Sequence, residues 1–175
     1  MDSRTTDISW DPGEEEHRES TARTVDTLNR FLGGMVQESW DDLDRALRIT
    51  HRSPDFSGIV PLGDPSLRPY LNKPGIFFIL GPHPELRLLH LGASRGPIGF
   101  VIRSRIEKTE DGRFDWRWET PSEHPPTFAA IATMEDYWAF APPLRNLLAK
   151  RLGGSFPEME QEEGGPAATP DSLVQ

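Results

Sequence analysis

The segment GIFFIL, residues 75–80, sets the tightest limit on what this chain can fold into. It is bounded by Pro74 on one side and Gly81-Pro82 on the other, and it is far too short to span a bilayer. Read as a strand, it is apolar on both faces. A strand of that kind is central in its sheet, and the sheet is covered on both sides.

The neighbouring segments supply the rest of such a domain. ELRLLHL (85–91) follows GPHP, whose Gly and prolines predict a turn, so 75–91 is expected to be a β-hairpin. Ile98, Val101, Ile102 and Ile106 form an apolar stripe that predicts a short helix over 97–108. In RFDWRWE, Phe114, Trp116 and Trp118 alternate with Arg113, Asp115, Arg117 and Glu119, the pattern of a half-exposed strand. TFAAIATM (127–134) predicts a further strand. A helix is expected to start in EDYWAFA (135–141), and another lies in PPLRNLLAKRL with Pro143 near its first turn. The fold class is α+β: a small, mostly antiparallel sheet flanked by helices.

Ahead of this core, Val25, Leu28, Phe31 and Leu32 fall at helical spacing, and Gly33-Gly34 is a plausible stop. Val36, Trp40, Leu43 and Leu47 begin a second helix, with Ser39 and Asp42 spaced like a capping box. The expectation is an N-terminal helical hairpin that packs over the domain or presents a surface to a protein partner. Residues 53–74 are rich in Pro and Gly and are expected to be irregular. The chain thus divides into a disordered acidic N-terminus (1–19), a helical segment with its connection (20–73), an α/β core (74–153) and a disordered acidic tail (154–175).

Composition removes several function classes. The chain has no Cys, which excludes disulfides, thiolate metal sites and thiol catalysis. The N-terminal residues are acidic and lack the apolar stretch of a signal peptide, so a soluble, cytoplasmic protein is expected, with no membrane partner. There is no phosphate-cradling glycine loop followed by Lys-Ser/Thr and no G-x-S-x-G nucleophile elbow. His83 and His90 flank a strand turn without a cluster of carboxylates, a poor metal site.

The charge is unevenly placed. Residues 1–65 hold 7 Lys/Arg against 14 Asp/Glu, residues 66–154 hold 12 against 9, and residues 155–175 hold none against 5. A basic centre therefore sits between acidic arms within a net charge of −9. Its cations gather where the second strand exits, at Arg95, Arg103 and Arg105, and again at Arg113 and Arg117. Arg95, Arg103, Arg113 and Arg117 are candidate contacts for nucleic acid, with Trp116 and Trp118 as a surface on which bases could stack.

The order strand, turn, strand, glycine, small-residue loop, Arg-bearing helix resembles the GIY-YIG nuclease superfamily. GIF (75–77) stands for its first tripeptide and HLG (90–92) for its second. The loop ASRGP then leads into IGFVIRSRI, which is similar to the family's helix of the LGSRLRSHL type. EDYWAFAPPL (135–144) is similar to the helix that carries the family's metal-binding glutamate. The likeness spans residues 74–150, about half the chain. It implies a small antiparallel sheet flanked by helices and phosphodiester hydrolysis with one divalent metal, Mg²⁺ or Mn²⁺. Tyrosine hydroxyls would assist the attacking water and an Arg would stabilise the phosphate.

Several positions depart from that pattern. Phe77 replaces the first tyrosine and has no hydroxyl. His90 replaces the second and could accept a proton near neutral pH. Val101 falls where the family carries its helix Arg. Arg105, about 40° away on the helical wheel, is a better substitute than Arg103, about 200° away. Glu135 would be the metal ligand, with Asp136 beside it as the competing choice. The resemblance therefore implies a catalytically degenerate module that binds nucleic acid or a protein partner. The alternatives are an active metal-dependent endonuclease using His90, Arg105 and Glu135, and an unrelated small α+β regulatory protein.

Overall fold

The structure, a computed structural model, describes residues 12–49, 51–118 and 123–153, with side chains described from residue 22 onward. The expected disordered ends fall largely outside these residues. The stretch 12–19 does not: it is already helical.

A single helix, α1 (Pro12–Leu47), replaces the expected helical hairpin. It runs through Gly33-Gly34 because its apolar stripe is unbroken. Leu32, Val36 and Trp40 are buried, with Val25, Leu28, Met35 and Leu43 packed around them. Two interior glycines cost about 0.5–1 kcal/mol each. Burying one Leu or Val side chain returns about 1.5–3 kcal/mol, so the stripe wins. Ser39, expected near a helix start, is instead a fully buried interior residue. The helix ends where Arg48 takes a positive φ of 54° and the Asp44 carboxylate accepts the Ile49 N–H at 3.0 Å.

The sheet follows. β1 (Asp55–Phe56) and β2 (Val60–Pro61) lie in the segment expected to be irregular, and both pair antiparallel with a later strand. Side chains close the break between them: the Ile131 N–H donates to the Ser57 hydroxyl and the Ile59 N–H to the Asn29 amide oxygen. A 3₁₀ turn (Pro65–Leu67) and the short helix α2 (Arg68–Leu71) lead into β3 (Gly75–Leu80), which is buried throughout. β4 (Leu88–Ser94) starts three residues later than expected. β7 (Phe128–Thr133) completes the sheet, whose order is β1-β7-β3-β4 with β2 also on β7. Gly75 lies so close to β7 that a Cβ there would stand 2.1 Å from the Ala132 carbonyl oxygen.

Both faces of β3 are covered, as its composition requires. Ile76, Phe78 and Leu80 face α1 and the C-terminal helix α4 (Ala141–Arg151), in a cluster with Trp40, Leu144 and Leu148. Phe77 and Ile79 face the other layer, among Leu67, Ile98, Ile102, Ile106 and Trp116.

That second layer corrects the expected helix over 97–108. Helix α3 (Ile98–Arg105) stops at Arg105, and the chain continues as β5 (Ile106–Lys108), paired with β6 (Phe114–Trp116). Ile106 is β-branched and pairs with Trp116, which favours the strand. Of the alternating segment 113–119, the described residues 113–118 form a strand over only three positions, and Asp115 on its supposed polar face is buried. Residues 135–137 are a turn and not the start of a helix; a 3₁₀ turn (Trp138–Phe140) then feeds α4. The α+β class and the mostly antiparallel sheet stand. Among the described residues no helix is long and apolar enough to cross a membrane.

Candidate functional site

Phe77 and His90 occupy adjacent strands. Phe77 pairs directly with Gly92, and His90 sits opposite Ile79. The two rings are 5.7 Å apart, and Trp116 packs edge-on against His90 at 6.4 Å. Phe77 is fully buried and His90 is 6% exposed. Both belong to the wall between the sheet and the α3 layer, and water reaches neither freely.

Glu135 lies at the other end of the strands. Thr133, two residues before it, pairs with Gly75, whereas His90 is opposite Ile79. Four residues of strand, roughly 13 Å, separate these levels. Glu135 is exposed, and its carboxylate faces the Lys73 ammonium at 3.6 Å. Lys73 also anchors α3, since its carbonyl accepts the Ile98 N–H at 3.0 Å. Arg105 closes α3 about 10 Å further along the helix axis and donates to the Ser104 hydroxyl. The structure thus brings Phe77 and His90 together and places Glu135 toward the opposite end of the strands. Asp136 is exposed beside Glu135. Among the described residues no group of three or more His, Asp or Glu side chains is arranged to hold a metal ion.

The arginines proposed for nucleic acid do converge, in part, on the outer surface of the α3 layer. The Arg103 guanidinium stands 5.3 Å from the Phe100 ring centre, one helical turn away. Arg117 crosses from the end of β6 to α3: its Nε donates to the Arg103 carbonyl at 2.6 Å and its backbone N–H to the Arg105 carbonyl at 2.9 Å. Its Nη1 also reaches Glu107 at 3.1 Å. Next to it, Trp118 stacks on Trp116 with ring centres 5.5 Å apart. Trp116 is buried and pinned by an Nε1–H bond to the His124 carbonyl at 3.0 Å. Arg95 is exposed in the β4–α3 loop. Arg113 stands apart in this respect: it is clamped to the Asp111 carboxylate through Nε and Nη2. The Thr109 hydroxyl, with Arg113 second, holds Asp111 well below the usual carboxylate range.

One feature of this surface escapes a reading of motifs: Phe100, which is 65% exposed. Of the two rings expected to offer a stacking surface, Trp118 is 64% exposed beyond the end of its strand, whereas Trp116 is buried. An aromatic three residues before an Arg on a helix is the signal that would have found Phe100. The chemistry available here is recognition: guanidinium groups to meet anions and flat rings to meet other flat groups.

Comparison with known proteins returned no match, whether against family models, curated proteins or solved structures.

Proposed function

We propose that this chain is a non-cleaving, GIY-YIG-like domain that binds nucleic acid. The observation that carries the reading is the grouping of arginines beside exposed aromatic rings on the α3 side of the sheet. Residues 95–117 there carry 6 basic and 4 acidic residues, and Arg103 among them forms no ion pair with a described residue. The opposite side is mixed: α1 carries 5 acidic and 3 basic residues over 22–47, and α4 adds Arg145, Lys150 and Arg151. A local group of cations of this kind can meet a polyanion despite the overall negative charge.

The replaced catalytic groups support binding over cleavage. Phe77 offers no hydroxyl, Val101 no charge, and His90 is enclosed by rings. The carboxylate of Glu135 already has a cation partner in Lys73. Binding through Arg95, Arg103, Arg105 and Arg117 requires neither Mg²⁺ nor Mn²⁺.

The test is fluorescence anisotropy of labelled oligonucleotides with the full chain, at low and raised salt and without divalent metal. Affinity that falls as salt rises, and that drops in Arg103→Ala, supports the reading. Absence of binding at low salt ends it.

A further inference from the structure

Resting on that reading, we infer that the α3–hairpin surface is selective for single-stranded nucleic acid, with unstacked bases received by the exposed rings of Trp118 and Phe100. The argument begins with what duplexes lack. In a duplex the base faces are consumed by stacking on one another, so exposed rings gain nothing from them. In a single strand each base presents a face, and aromatic side chains beside cations are the general means of holding it.

Both rings are prepared for that role. Trp118 is 64% exposed, yet one face of its indole is already stacked on Trp116, with an interplanar angle of 24°. Trp116 is itself buried and held through its Nε1–H by the His124 carbonyl. The exposed face of Trp118 is therefore a held platform, and little side-chain entropy remains to be lost on binding. Phe100 is kept in place by the Arg103 guanidinium over its ring. Each exposed ring thus has a guanidinium next to it in chain or in space, and the two segments are joined by the Arg117-to-Arg103 hydrogen bond. A protein-docking face would instead show a contiguous apolar patch. Here the rings are interleaved with Arg103, Arg105 and Arg117, which suits a backbone of phosphates alternating with bases.

The experiment measures the full chain against labelled oligothymidylate of about twenty nucleotides and against a duplex of equal length, by anisotropy and by quenching of intrinsic fluorescence. The expected result is tighter binding to the single strand, with Trp118→Ala and Phe100→Ala each weakening it about fivefold or more while leaving duplex binding unchanged. Thermal melting of each variant shows that it is folded. Phe100 is largely exposed and makes no stack on the core, so its variant carries the test if Trp118→Ala does not fold. Equal affinity for both forms, unmoved by either substitution, overturns the inference while leaving nucleic-acid binding intact. Binding to neither form overturns both readings.

Discussion

Arg151 and Asp42 form an ion pair between residues 109 positions apart, tying the end of α4 to the C-terminal part of α1. The same guanidinium donates to the hydroxyl of buried Ser39 at 3.1 Å, one turn earlier on α1. Arg45 flanks the same carboxylate. Two helices on one face of the sheet are thereby fixed relative to each other, above the layer of Trp40, Leu144 and Leu148.

This pair makes the fold acid-sensitive in a stated direction. The hydrogen bond from Arg151 is the largest influence holding the Asp42 carboxyl below its usual range; partial burial opposes it, and the charges of Arg151 and Arg45 add to it. A carboxylate depressed in the folded state contributes stability above its unfolded pKa of about 3.9, and that contribution is lost as pH falls through the lower folded value. Asp42→Asn should therefore lower the melting temperature at neutral pH and lose less than the wild type on acidification below about pH 4. Thermal melts of both proteins across that range check it; parallel acid limbs would count against the assignment.

Gly34 offers a direct test of the continuous helix. A Cβ at this position meets nothing within 4 Å, and the backbone there is helical. Replacing it by Ala removes unfolded-state entropy and should stabilise the protein by about 0.5–1 kcal/mol, a rise in melting temperature of about 1–4 °C. A Gly-Gly turn between two helices would respond in the opposite sense, so a fall in stability would contradict the single helix.

Gly75 should behave in the reverse manner. The 2.1 Å approach of a Cβ to the Ala132 carbonyl oxygen involves backbone on a central strand, which cannot swing aside as a side chain does. Gly75→Ala is expected to destabilise the protein by about 2 kcal/mol or more, or to prevent folding. Chemical denaturation measures this, and a near-neutral result would mean that β3 and β7 do not run in the register Gly75↔Thr133.

These elements show what a sequence reader can and cannot see. β3, β7 and α4 were legible because each carries its own evidence: an unbroken apolar run, or a helical stripe with proline at its start. β1 and β2 were not, since two-residue strands have no period, and they exist only because β7 lies beside them more than sixty residues later. Gly33-Gly34 misled because local propensity pointed one way and the buried stripe from Leu32 to Trp40 pointed the other. At the site, Arg103, Arg117 and Trp118 were visible in the charge and aromatic pattern. The hydrogen bond that joins Arg117 to Arg103 depends on where α3 gives way to β5, and that boundary was misplaced.

The resemblance to a nuclease turns on Glu135, and its setting predicts the outcome of removing it. Its ion pair with Lys73 spans 3.6 Å at side chains 61% and 35% exposed, an arrangement worth about 0–1 kcal/mol. Glu135→Ala should therefore leave the melting temperature nearly unchanged. His90, the base that the resemblance implies, sits four strand residues, roughly 13 Å, from the level of Thr133 that leads to Glu135, and is enclosed by Phe77 and Trp116. Incubated with supercoiled plasmid and Mg²⁺ or Mn²⁺, both wild type and Glu135→Ala should leave the plasmid intact. Metal-dependent nicking by the wild type that disappears in Glu135→Ala would show the carboxylate acting as a ligand, and the non-cleaving reading would have to be given up.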